Sequence, residues 1–150
     1  MQLRLKELRE SKNYLQKDIA EIIGVHKSTY NQWENNNNIP IRRLVELADF
    51  YEINTDYLVG LTNMKINRKG KSKLDLKEIA VHLREIRVEL NFSLRDIEKA
   101  IGINNSRWAN YEAGLYIVST WILVFACKKS GISMDYVLGR SKLKYLKDLY

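Results

Sequence analysis

Lys27, Ser28, Asn31 and Gln32 alternate along the chain with Tyr30 and Trp33. On a helix the two aromatic residues, spaced i and i+3, share the inner face. The four polar side chains then point outward. They are short or planar donors and acceptors, suited to the edges of bases in a major groove. Other chemistries lack their parts. His26 and His82 are isolated and have no Cys/His spacing that suits a metal. Cys127 lies in an apolar stretch, away from any His or helix N-terminus that would activate a thiol. Neither a Gly-rich phosphate loop nor a nucleophile elbow is present. No enzyme, cofactor or metal is expected.

The outward side chains need elements to hold them. Apolar residues Leu3, Leu5 and Leu8, then Leu15, Ile19, Ile22 and Ile23, recur at helical spacing. Hairpin signals are absent. Ala20 is small where two helices must cross. Gly24 suits the left-handed residue that ends a helix before a tight turn, and Val25 plugs that turn. His26 stands at the cap of the next helix, an unusual choice there. Pro40 suits the first turn of a fresh helix. Thr55 and Ser133 suit N-caps, each followed by an Asp. Asn36 tolerates a left-handed backbone at the place where Gly114 stands later. The expected helices are about 3–12, 16–23, 27–35, 41–51 and 55–59.

The pattern then repeats. Moved by about 78 residues, Leu5-Lys6-Glu7-Leu8-Arg9 falls on Leu83-Arg84-Glu85-Ile86-Arg87, and Ile23-Gly24-Val25 on Ile101-Gly102-Ile103. Trp33-Glu34 meets Tyr111-Glu112, and Leu47-Ala48 meets Phe125-Ala126. After one extra residue near Gly131, Asp56-Tyr57-Leu58-Val59-Gly60 meets Asp135-Tyr136-Val137-Leu138-Gly139. The chain is expected to be a tandem duplication, with further helices at about 81–90, 94–101, 105–113, 119–129 and 133–138. Arg9–Glu34 and Arg87–Glu112 are duplicated together, which marks them as structural ion pairs.

In Gln16-x-x-x-Ala20, Ile23-Gly24-Val25, Ser28-Thr29, Trp33-Glu34-Asn35, Ile39-Pro40 and the closing Asp56-Tyr57-Leu58-Val59-Gly60, the sequence resembles the Cro/XRE helix-turn-helix family. The resemblance covers about four-fifths of the chain and is weaker in its second half. It implies an all-α fold of two tandem five-helix, lambda-repressor-like domains, 1–61 and a diverged 78–140; the residues themselves read as a basic linker over 62–77 and, with Leu143, Leu146 and Leu149 on one helical face, allow a short helix within 141–150. The resemblance also implies sequence-specific regulation of transcription, usually repression and usually as dimers, with double-stranded DNA as partner. The Asn-, Lys- and Ile-rich composition points to an AT-rich genome, a bacterium or its phage, and a repressor of a phage or mobile element is expected. Carried onto this sequence, the family's base-reading positions fall on Lys27, Ser28 and Gln32, with Asn31 beside them. Its phosphate contacts fall on Gln16 and Asn35, and its salt bridge on Arg9 and Glu34.

The second unit departs from this pattern. Asn105, Ser106 and Asn110 stand for Lys27, Ser28 and Gln32, and Arg107 adds a contact to phosphate or guanine. Leu94 replaces Gln16, Val118 replaces Pro40, and Thr120-Trp121 replaces Arg42-Arg43. The fourth helix, Trp121 to Cys127, is apolar all round and needs burial on more than one side. Trp121, Leu123, Val124, Leu146 and Leu149 are therefore candidate interface residues, toward the first unit or a second chain. The rival expectation is a larger local core closed by the tail.

Composition bounds the rest. The chain has 150 residues, 25 Lys plus Arg against 18 Asp plus Glu, and a formal charge of +7. Apolar residues make up 45%, enough to build cores. One Cys and no signal-peptide or spanning segment suggest a cytoplasmic protein that does not engage membranes. The charge is uneven: residues 1–61 carry −1, 62–77 carry +5, 78–140 carry +1 and 141–150 carry +2. Lys65, Arg68, Lys69, Lys71 and Lys73 are thus expected to meet phosphates without regard to sequence. Two arrangements are open. One chain could straddle readers about 34 Å apart with a linker spanning up to ~55 Å. Alternatively, a homodimer could read a palindrome through unit one alone. The rival function is a phage-encoded inhibitor, antirepressor or antitoxin whose second domain binds a protein partner.

Overall fold

The computed structural model describes residues 1 and 3–150. Among them the regular structure is helical, apart from two isolated bridges. The chain divides into two compact units, Met1–Lys71 and Ser72–Tyr150.

The first unit contains α1 (Leu5–Ser11), α2 (Gln16–Ile23), α3 (Lys27–Asn36), α4 (Ile41–Phe50) and α5 (Thr55–Leu58). Their apolar stripes meet in one core. Leu5, Ile19, Tyr30, Leu44, Leu47 and Leu58 are fully buried there. Gly24 ends α2 at φ +81°, a conformation that costs glycine nothing. Asp18 accepts the Leu15 N–H and so helps start α2. Two local expectations are corrected. Asn54, not Thr55, is the N-cap of α5; Thr55 is its first buried residue. Asn37, not Asn36, takes the left-handed conformation, because α3 runs through Asn36.

The second unit contains α6 (Leu76–Glu89), α7 (Leu94–Ile101), α8 (Asn105–Glu112), α9 (Thr120–Ser130) and α10 (Met134–Val137), then a 3-10 turn at Leu146–Leu149. α6 starts five residues before the expected 81. Asp75 caps it by accepting the Lys77 N–H. Leu76, Ile79, Ala80 and Leu83 then continue one face at i, i+3, i+4 and i+7. α9 packs against α6, α7 and α10.

Set against the repeat expected from the sequence, caps and burial shift its register. Gly102 ends α7 as Gly24 ends α2, 78 residues apart. Ser119 precedes α9 as Pro40 precedes α4, 79 apart. The extra residue therefore sits in the loop between α8 and α9, not near Gly131. Ser119, not Val118, stands for Pro40; Val118 is buried like Ile39. Trp121 and Ile122 stand for Arg42 and Arg43. Ala126 and Cys127 stand for the buried Leu47 and Ala48.

This shift changes the picture of α9. Leu123 and Val124 are buried within their own unit, as is Leu149 of the tail, and Leu146 is half-buried. These residues serve the local core, which the longer α6 and the tail enlarge. Among the interface candidates only Trp121 is exposed, at 45%, and Phe125 one turn on is 40% exposed. The tail is not an α-helix. The Ser133 N–H donates to Lys144 O at 2.8 Å, and the Leu146 N–H to Gly131 O at 2.9 Å, before the 3-10 turn.

Part of the expected linker behaves like that tail. Asn54 is fully buried, and its Nδ2 donates to Met64 O at 3.0 Å. Its Oδ1 accepts the Ile66 N–H at 2.9 Å. The Arg68 N–H donates to Glu52 O. Arg4 secures the same strap, donating to Tyr57 O, Thr62 O and Asn63 Oδ1. Residues 62–68 are thus strapped onto the first unit by backbone groups that a buried amide satisfies.

Candidate nucleic-acid interface

The turn between α2 and α3 sets the site. The Gly24 and Val25 N–H groups both donate to Ala20 O, which closes α2 and swings the chain into α3. Tyr30 and Trp33 anchor α3 from its inner face, at 0% and 5% exposure. Their rings meet edge-on at 6.1 Å. With that face buried, Lys27, Ser28 and Gln32 are exposed. Among the described residues none of their side chains has a hydrogen-bond or ionic partner. His26 begins the helix without a side-chain cap bond.

Behind α3 lies a buried polar network. Arg9 Nε donates to Glu34 Oε1 at 2.7 Å and Nη2 to Oε2 at 3.3 Å. Arg9 Nη1 also donates to Tyr14 O at 2.9 Å. The side chains of the pair are 9% and 3% exposed. Burial works against ionisation of Glu34. Hydrogen bonds from Arg9 and Gln16, with the guanidinium's charge, outweigh it and hold the carboxyl below its usual range. The hydrogen bond to Glu34 likewise keeps Arg9 more firmly protonated, against its burial. Burial, then the neighbouring carboxylate, pushes the Tyr30 phenol far above its ordinary value.

Gln16 joins this network rather than facing outward alone. Its Nε2 donates to Glu34 Oε2 and to Asn31 Oδ1, both at 3.0 Å. An amide nitrogen carries two hydrogens, so in this arrangement the side chain has no donor left for a phosphate. Asn35 Nδ2 donates to the same Asn31 Oδ1 at 3.1 Å. Two expected phosphate contacts and one expected base reader therefore form a chain of amides along α3. Sequence spacing carried no signal for this connection.

The basic residues beyond α5 are spread out. Lys65, Lys69, Lys71 and Lys73 are exposed and Arg68 is half-buried. Lys65 and Arg68 lie on the strap.

The second unit presents α8 differently. Trp108 and Tyr111 are buried, and Arg87 Nε donates to Glu112 Oε1 at 2.9 Å. The outward side chains are mostly engaged. Asn105 Nδ2 donates to Glu98 Oε2 at 2.9 Å. Ser106 Oγ donates to Asn104 Oδ1. Arg107 Nε donates to Tyr111 OH at 2.8 Å and Nη2 to Ser119 Oγ at 3.1 Å. Asn110 is half-buried.

A family model described as Helix-turn-helix matches residues 5–58, which span α1 to α5. The uncharacterized HTH-type transcriptional regulator YobD of Bacillus subtilis (strain 168) is 32% identical over 108 residues, 69% of this chain and 96% of its own length. The chain belongs to the helix-turn-helix family of transcriptional regulators. Two further helix-turn-helix relatives come from the same organism. ImmR is 30% identical over 87 residues, 57% of this chain and 67% of its own. AnsR is 36% identical over 63 residues, 41% of this chain and 54% of its own. No solved structure matches significantly. Among the described residues no group of His, Cys, Asp and Glu could hold a metal ion, and no helix is long and apolar enough to cross a membrane.

Proposed function

We propose that the chain represses transcription of a phage or mobile element, with α3 of the first unit as its reader of duplex DNA. One observation carries this reading: Lys27, Ser28 and Gln32 stand exposed and unengaged on a helix anchored from behind by Tyr30 and Trp33. Such free donors and acceptors discriminate base edges, while the fixed helix sets their register. Asn35 and the basic run from Lys65 to Lys73 supply phosphate contacts. The second unit is a diverged helix-turn-helix module. Two units in one chain, or two chains as a dimer, bring further readers or contacts to the same duplex.

A protein-directed role for the second unit is favoured by its surface. Asn105, Ser106 and Arg107 are engaged internally, while Leu115, Tyr116, Trp121 and Phe125 are exposed. That is the composition of a protein interface rather than a phosphate-binding face.

Selection of bound sequences from random duplexes by the intact chain, followed by footprinting, tests both readings. One enriched motif identifies one reader, and two motifs about a helical turn apart identify two. No enrichment overturns the proposed function.

A further inference from the structure

The polar network behind α3 reaches the surface at Asn31, and its chemistry fixes which way that amide faces. Glu34, held ionised by Arg9, can only accept hydrogen bonds. The Gln16 amide must therefore turn its nitrogen toward Glu34 Oε2. The second hydrogen of that nitrogen points at Asn31, which must answer with its oxygen. Asn35 Nδ2 donates to the same oxygen, filling its second lone pair. Asn31 Nδ2 has no partner among the described residues, yet it is not among the buried unpartnered groups, so solvent reaches it.

We infer that Asn31 is a donor-only reader that selects guanine, because Gln16 and Asn35 have used up its carbonyl. An unrestrained Asn offers an acceptor and a donor together and pairs with adenine N6 and N7. A saturated carbonyl removes that option. Guanine presents two acceptors side by side, N7 and O6, which suit two amide hydrogens. Adenine presents a donor, N6, where Asn31 has no free acceptor. Gln16 is then a positioning residue whose effect on sequence choice runs through Asn31. The inference rests on the proposed role of α3 as reader.

The test is selection from random duplexes with four full-length proteins: wild type, Asn31→Ala, Asn31→Asp and Gln16→Ala. Affinities on single-base variants of the recovered site follow. In the wild type one position should prefer guanine over adenine by about 5–150-fold. Asn31→Ala should relax that position alone. Asn31→Asp keeps an acceptor for Gln16 and Asn35 but loses the donors, so it should also lose guanine there. Gln16→Ala frees one lone pair of the carbonyl and should move the preference toward adenine at that same position, the rest of the motif being kept. Adenine at the Asn31-dependent position in the wild type overturns the inference. So does a motif that Asn31→Ala and Asn31→Asp leave intact, or a guanine preference that survives Gln16→Ala. Each of those outcomes leaves α3 as the reader. Absence of any motif, or a motif left entirely unchanged by joint substitution of Lys27, Ser28 and Gln32 in a fifth protein, overturns the reading of α3 and this inference with it.

Discussion

Asn105 Nδ2 donates to Glu98 Oε2 at 2.9 Å, which turns the first side chain of α8 back onto α7. At the corresponding positions of the first unit stand Lys27 and Ala20, and Lys27 is left exposed. A carboxylate on this face also repels phosphate. The two helices thus present different surfaces.

Binding specificity should therefore divide unequally. Substituting Lys27, Ser28 and Gln32 by Ala is expected to abolish preference for the selected site, each good contact being worth about 1–3 kcal/mol. Substituting Asn105, Arg107 and Asn110 by Ala is expected to leave the motif unchanged. Competition binding with specific and random duplexes measures both.

The Arg9–Glu34 pair should matter more to stability than Arg87–Glu112. Its side chains are 9% and 3% exposed, against 20% and 12% for the second pair. Removing one partner leaves a buried charge unpaired, at about 3–5 kcal/mol. Arg9→Ala should approach that figure, and Arg87→Ala should fall below it, because water reaches the remaining carboxylate. Denaturant unfolding monitored in each variant gives the comparison.

Acid should loosen the first unit through Glu34. Its folded-state pKa lies below the ordinary value of 4.5. The resulting stabilisation is complete above that value and is lost as pH falls through the depressed one. Glu34→Gln should be less stable at neutral pH and should show a flatter dependence on pH below about 4.5. Thermal melts across pH 3–7 would show equal slopes if Glu34 were uninvolved.

Asn54 should control the strap. Asn54→Ala strips partners from Met64 O and the Ile66 N–H. Unsatisfied buried polar groups cost about 1–3 kcal/mol. The expected sign of release is faster amide exchange at Ile66, with the helical core exchanging as before.

Salt dependence separates the basic residues from the reader. Neutralising Lys65, Arg68, Lys69, Lys71 and Lys73 together should weaken binding to all sequences alike. If they meet about five phosphates, the log–log salt slope flattens by about 4–5. An unchanged slope would mean that they only carry solubility.

The helices were legible because helical spacing of apolar residues, together with Gly24 and Gly102, encodes them locally. The inward turn of Tyr30 and Trp33 was equally legible, since i and i+3 share a face. What failed was anything set by distant partners. The strap hung on a buried Asn54 whose targets lie ten and twelve residues away. The place of the extra residue hung on which α9 side chains the core accepts. An apolar stretch looks the same in sequence whether its far side meets its own tail or nothing.

The sequence alone determined an all-helical chain of the helix-turn-helix family and the face of α3 that carries Lys27, Ser28 and Gln32. Only the tertiary structure decided which polar groups are free to act and which are already spent. A hydrogen-bonding side chain has few donors and acceptors, and its function depends on those that folding leaves unused. Gln16 and Asn105 look in sequence like residues that face a ligand. Folding directs the first to Glu34 and Asn31, and the second to Glu98.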